Sequence, residues 1–165
     1  MALSPTDPTP SRPLGADSIE TDSVGSCNNL ALRKAARYLG ATYDKALAPT
    51  GLRATQFSIL QHLSNHDEIS ITSLAETIAM DRTTLASNLK PLAREGLVTV
   101  ETSATDRRAR IVTITPDGVA RMEAALPHWR TAQAQFEDNF GAERAAQLRA
   151  ILADVLDTGF HPWAE

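Results

Sequence analysis

The sequence is short of the residues that mark secreted, membrane-bound or cofactor-rich proteins. Of 165 residues one is cysteine, Cys27, so no disulfide can close within the chain and a reducing compartment is expected. Aromatic residues make up 5% and the apolar 42% is mostly Ala and Leu, a composition that favours helices. No apolar run approaches the roughly 20 residues that cross a bilayer. The N-terminus lacks a basic start followed by an apolar stretch, so no secretory signal is read there and a cytoplasmic protein without membrane contact is expected. Net positive charge is also missing: the formal charge is −4, a weak argument against nucleic acid as a partner.

The charge is, however, unevenly placed. Between Arg82 and Arg110 lie Arg82, Lys90, Arg94, Arg107, Arg108 and Arg110, against only Glu95, Glu101 and Asp106. Phosphate contact depends on such local charge, because counterions are released where the cations sit and not over the whole surface.

Residues 1–25, rich in Pro, Ser, Thr and Asp, cannot bury enough apolar area to offset ordering and are expected to form a disordered tail. Residues 26–50 read as one helix with Leu32, Ala35, Ala36, Leu39, Tyr43, Ala46 and Leu47 on a stripe, closed by Pro49 and Gly51. Residues 51–116 hold three short helices and a hairpin. Phe57, Leu60 and Leu63 face inward on the first, and Ser73-x-x-Glu76 matches a capping box for the second. The third is capped by Asp81, buries Leu85, Leu89 and Leu92, and is stopped by Gly96 with apolar Leu97 behind it. Val98/Val100 and Val112/Ile114 alternate as two strands around "ETSATDRRAR". In residues 117–165, a helix opened by Thr115-Pro116-Asp117 runs to about Asn139, and a last one carries Leu148, Ile151, Leu152, Val155 and Leu156 on one face.

With Leu85 pointing inward, 100° per residue turns Thr83, Ser87, Lys90 and Arg94 to the opposite side, with Thr84 and Pro91 beside them and Arg82 at the helix start. Hydroxyls near a helix start reach base edges, while Lys90 and Arg94 suit phosphate. The hairpin tip with Arg107, Arg108 and Arg110 reaches the neighbouring backbone or minor groove, where arginine is electrostatically favoured. This is a mainly α fold with a small β-hairpin wing: a winged helix-turn-helix flanked by helices for dimerisation. The first and last helices each carry an apolar stripe that one small core cannot cover, which predicts a homodimer.

The stretches "LRATQFSILQHL", "SLAETIAMDRTTLASNLKPLAREGLV" and "DRRARIVTITPDG" resemble the multiple antibiotic resistance regulator (MarR) family of bacterial winged-helix regulators, over roughly residues 28–157. The resemblance implies an obligate homodimer through the first and last helices that binds a pseudo-palindromic operator, most often as a repressor. It further implies that Arg108 enters the minor groove and that Asp106 holds its guanidinium. A ligand or redox site lies between dimer helices and reading heads in that family, and phenolic or other aromatic acids are its common effectors. Two departures bear on base contacts: Pro91 lies inside the reading helix, where it removes a hydrogen bond and should bend the axis, and Ser87 stands where many relatives carry a longer basic residue.

Tyr38, Phe57, His62, Trp129 and Phe136 are the candidates to line an apolar effector cleft. Cys27, at the expected start of the first helix near Arg33 and Lys34, is a candidate redox switch, since a helix N-terminus favours a thiolate. Hydroperoxide sensors of the family surround such a cysteine with tyrosines, whereas Asn28, Asn29, Leu30 and Ala31 follow it here, so a structural cysteine is expected. His62-x-x-x-His66 with Asp67 and Glu68 has metal-ligand spacing, but it reads as a polar helix end. His128 and His161 stand alone. No metal, cofactor or enzymatic nucleophile–base pair is expected. The alternatives left open are a hydroperoxide-sensing repressor acting through Cys27 and a winged-helix protein-interaction module without DNA contact.

Overall fold

The computed structural model describes residues 26–66 and 68–160. The expected tail of residues 1–25, Asp67 and His161 lie outside them. The chain divides into two compact units between Arg37 and Tyr38. The described part of the first holds Ser26, Cys27 and the exposed opening turns of helix α1 (Asn28–Leu47), which starts in this unit and ends in the second.

The second unit continues with a 3-10 turn (Ala48–Thr50), α2 (Ala54–Leu63), β1 (Ile69–Ser70), α3 (Ile71–Thr77) and α4 (Arg82–Arg94). Strands β2 (Val98–Thr102) and β3 (Arg110–Ile114) follow, then α5 (Pro116–Phe140) and α6 (Ala142–Leu156). The sheet is antiparallel in the order β1-β3-β2, with Val98 opposite Ile114 and Val100 opposite Val112. The hairpin register thus agrees with the alternation of valines. β1 was not anticipated: two residues are too few to show a period of two, and they become a strand only because Ile69 finds Val112 and Ser70 finds Ile111.

The core gathers the inward leucines of the short helices. Phe57, Leu60, Leu63, Leu85, Leu89 and Leu92 are buried as their spacing predicts, together with Ile59, Leu74, Leu97 and Val112. Each such side chain contributes roughly 1.5–3 kcal/mol of transfer free energy. Of the α1 stripe only Leu47 is fully buried. On α6 only Ala145 is buried, while Ile151 is 60% and Leu156 67% exposed.

Caps decide where the helices begin. α2 starts where Asp44 of α1 accepts the Ala54 amide at 2.7 Å and Gln56 accepts the amide of Arg53. A carboxylate there faces the positive end of the helix dipole. The cap of α3 corrects the sequence expectation. Ser70, extended at the end of β1, accepts the Ser73 amide at 3.0 Å, so Ser73 is already in the first turn and Ser73-x-x-Glu76 is not the capping box. The strand residue takes that role because β1 delivers the chain to α3 with no intervening loop. α5 opens as expected, with Thr115 accepting the Gly118 amide at 3.0 Å and Pro116 in the first turn.

Candidate nucleic-acid interface

The turn from α3 to α4 is tight. Met80 donates its amide to the Ala75 carbonyl at 2.8 Å, and Ala79 takes φ 51° to make that closure. Such a left-handed conformation costs a non-glycine residue free energy. Asp81 then caps α4 through the Thr84 amide at 2.8 Å. The Thr84 hydroxyl and amide hold the Asp81 carboxyl below its ordinary range.

α4 has two faces. Leu85, Leu89 and Leu92 are buried, and Arg82, Thr83, Thr84, Ser87, Lys90 and Arg94 are all exposed. The Ser87 hydroxyl donates to the Thr83 carbonyl at 2.9 Å. Its proton committed inward, the oxygen presents lone pairs outward, which suits the amino donor of cytosine or adenine in a major groove. Asn88, on which the sequence pattern is silent, donates to the Thr84 carbonyl at 2.9 Å and lies 3.8 Å from the Met80 sulfur, tying the reading helix to the turn before it. The helix runs unbroken through Pro91. It stops at Gly96, φ 73°, where Leu97 donates to Leu92 and Gly96 to Ala93 in a Schellman arrangement.

The hairpin tip is built from nested bonds. Ser103 donates its amide to the Ala109 carbonyl, and Ala109 donates to the Asp106 carbonyl, both at 2.9 Å. The Ser103 hydroxyl accepts the amides of Thr105 and Asp106, each at 3.3 Å. Asp106 Oδ1 accepts the Arg108 amide at 2.9 Å. The pairing implied by family resemblance is not among the ion pairs of the described residues, which join Arg53–Asp44, Arg121–Glu95 and Arg149–Glu137. The short Asp side chain reaches the nearer donor, the amide two residues on, in an Asx turn.

Arg107 and Arg108 are exposed in this loop. Arg110 is not at the tip. It belongs to β3, and its Nη2 donates to the Val100 carbonyl at 3.0 Å. With Lys90, Ile71, Ala86, Leu89, Ala93 and Val100 it lines a groove of about 230 Å³. The hairpin therefore presents two arginines at its tip and one facing α4.

Of the candidate effector residues, Phe57 and Trp129 stack with centroids 6.1 Å apart. Phe136 stacks on Phe140 at 5.2 Å, with Arg144 over the second ring. Tyr38 is 76% exposed. His62 is half-buried and stacked on His66 at 4.9 Å, with its Nε2 buried and without a hydrogen-bond partner. Burial, and next the neighbouring His66, hold the His62 imidazole below the ordinary histidine value. Among the described residues no three or more His, Cys, Asp or Glu side chains are placed to hold a metal, and no helix is long and apolar enough to cross a membrane. Cys27 is exposed at the start of α1, where its sulfur accepts the Leu30 amide at 3.5 Å.

The MarR family model matches residues 52–109, the helix-turn-helix with β2 and the hairpin loop. The transcriptional repressor NicR of Pseudomonas putida is 30% identical over 80% of this chain and 79% of its own length. The organic hydroperoxide resistance transcriptional regulator of Bacillus subtilis is 25% identical over 77% of this chain and 85% of its own. Among solved structures, the M. tuberculosis transcriptional regulator MosR in complex with DNA superposes with a TM-score of 0.71 at 38% identity, covering 80% of this chain and 97% of that one.

Proposed function

The chain belongs to the MarR family, and from that premise we propose that it is a transcriptional regulator, acting as a repressor, that binds double-stranded operator DNA as a homodimer. The observation that carries this reading is α4 itself. A helix whose leucines are locked in the core presents Thr83, Thr84, Ser87, Lys90 and Arg94 outward, beside a hairpin whose tip loop is ordered by its own hydrogen bonds. Hydroxyls and cations so arranged match base edges and phosphates. Residues 51–116 form the reader, and residues 26–50 and 117–165 supply the dimer contacts. The uncovered Ile151, Leu152, Val155 and Leu156 support that assignment, because a second copy covers what a single chain leaves open. A regulator of this bacterial family is proposed to act in the cytoplasm, where the DNA is.

A small aromatic or phenolic effector is proposed on the family resemblance alone, since the Phe57–Trp129 stack packs against the core and His62 stacks on His66 instead. A second reading, hydroperoxide sensing through Cys27, is favoured by the exposed sulfur at the helix start. Organic hydroperoxide should then release DNA from the wild type and leave Cys27→Ser bound; equal responses remove this reading.

Fluorescence anisotropy with the DNA upstream of the protein's own gene and with random duplex, titrated with salt, tests the main proposal. Tighter binding to the specific duplex, weakening linearly in log salt, is expected. No salt-sensitive binding to either duplex would favour the protein-interaction module.

A further inference from the structure

We infer that Arg121 is a positioning residue that fixes the angle between the helical arm and the reading head. It rests on the DNA-reading proposal above. Arg121 lies on α5, one turn past Gly118, and its guanidinium meets two other elements. Nη1 donates to the Thr50 carbonyl at 3.2 Å, at the end of the turn that closes α1. The same nitrogen stands 3.8 Å from Glu95 Oε2, at the end of the reading helix. One side chain thus ties three elements: the end of α1, the end of α4 and the start of α5.

The surroundings fit this contact. Glu95 is an acid at the C-terminal end of α4, where the helix dipole disfavours negative charge, and Arg121 brings a positive charge beside it. Thr50 presents a terminal carbonyl that has no helical partner. Gly51, φ 76°, turns the chain beside it, and a Cβ there would stand 3.4 Å from the guanidinium. Next to this joint, α5 is bolted directly to the end of the reading helix. Thr115 donates its hydroxyl to the Gly96 carbonyl at 2.7 Å and its amide to Leu97 at 3.1 Å. A Cβ on Gly118 would sit 2.1 Å from the Leu97 oxygen, so the two backbones pack with no space between them. Thr115 and Gly118 make α5 and the head one piece, and Arg121 extends that attachment to α1.

A dimer that reads two half-sites one helical turn apart needs this angle held. One added base pair turns one half-site by about 35° and moves it by about 3.4 Å, so a stiff joint rejects the wrong spacing and a loose one tolerates it. Removing the guanidinium should relax spacing preference more than it weakens contact with either half-site.

The test uses a duplex selected by the wild-type protein from a random library, and derivatives with one base pair inserted or deleted between half-sites. Wild type should prefer the selected spacing by about tenfold, the cost of a badly placed contact. Arg121→Met, which keeps the length of the side chain, should shrink that ratio to about threefold or less while the protein stays folded and dimeric, and Arg121→Lys should restore part of it. A folded, dimeric Arg121→Met that keeps the wild-type ratio overturns the inference. A second readout needs no DNA. Spin labels at Ala41→Cys on α1 and Thr99→Cys on β2, in a Cys27→Ser background diluted with unlabelled chains, report the arm-to-head distance within one protomer. Arg121→Met should broaden that distribution, and an unchanged distribution overturns the joint. If wild type selects no duplex while the labels still broaden, the DNA reading has failed and the joint stands.

Discussion

Asp106 holds the backbone amide of Arg108 through Oδ1 at 2.9 Å, so the acid beside the wing arginine shapes the loop. With Ser103 anchoring the amides of Thr105 and Asp106, the loop reaches DNA already folded, and less conformational entropy is lost on binding.

A comparison of Asp106→Asn with Asp106→Ala tests that role. The amide side chain of Asn keeps the acceptor, so Asp106→Asn should retain DNA affinity. Asp106→Ala should lose about 1 kcal/mol, the usual worth of one hydrogen bond, on specific and random duplex alike. Equal losses in both variants would show that the charge matters and the loop bond does not. Ser103→Ala should behave like Asp106→Ala.

Reading and positioning residues should separate under salt. Arg108→Ala is expected to weaken specific and random DNA by similar factors and to lower the salt slope by about one unit for each phosphate it no longer neutralises. Changing Thr84 and Ser87 together to Ala should reduce operator binding by about 1–3 kcal/mol for each base edge left unread, with random-duplex affinity almost unchanged. If the two variants exchange these behaviours, hairpin and helix have the opposite roles.

Leu152, 37% exposed within the open stripe of α6, should be central to the contact between copies. Leu152→Glu puts a charge into that apolar surface, and analytical ultracentrifugation at micromolar concentration should then return monomers. Operator binding should fail with it, because one half-site alone binds weakly. A dimeric, DNA-competent Leu152→Glu would place the interface elsewhere.

His62 makes stability depend on pH. Its folded imidazole resists protonation because it is partly desolvated, and His66 adds to the effect, while the unfolded chain takes up a proton near 6.5. Below that value the unfolded state binds more protons than the folded one, so stability falls as pH drops from about 6.5 to the lowered folded value, and is fully present above it. Urea midpoints at about pH 7.5 and pH 5.5 should differ more in wild type than in His62→Gln. Equal differences would remove His62 as the cause. Asp81 and Glu137, whose carboxyls are held low by Thr84 and by Gln133 with Arg149 respectively, add losses of the same sign at lower pH, in the carboxylate range.

Local chemistry made most of the reader legible in advance. The leucines of α4 repeat at helical spacing, Asp81 stands where the first turn needs an acceptor, Gly96 supplies the left-handed stop, and Thr115-Pro116 opens α5. Each of these depends on neighbours within about one turn of chain, and pattern alone conveys such relationships. The exposed face of α4 followed from the same geometry, since burying Leu85, Leu89 and Leu92 leaves one direction for Thr83, Ser87, Lys90 and Arg94. Tertiary structure decided what depends on distant partners. β1 exists because β3 passes beside it, and through β1 the cap of α3 moved from Ser73 to Ser70. Arg110 looked like a tip residue until strand pairing carried it to Thr102 and its guanidinium met the Val100 carbonyl. The contact between Arg121 and Thr50 spans 71 residues of chain. No periodicity records such a meeting, because it is set by how the helices pack and not by what either residue prefers on its own.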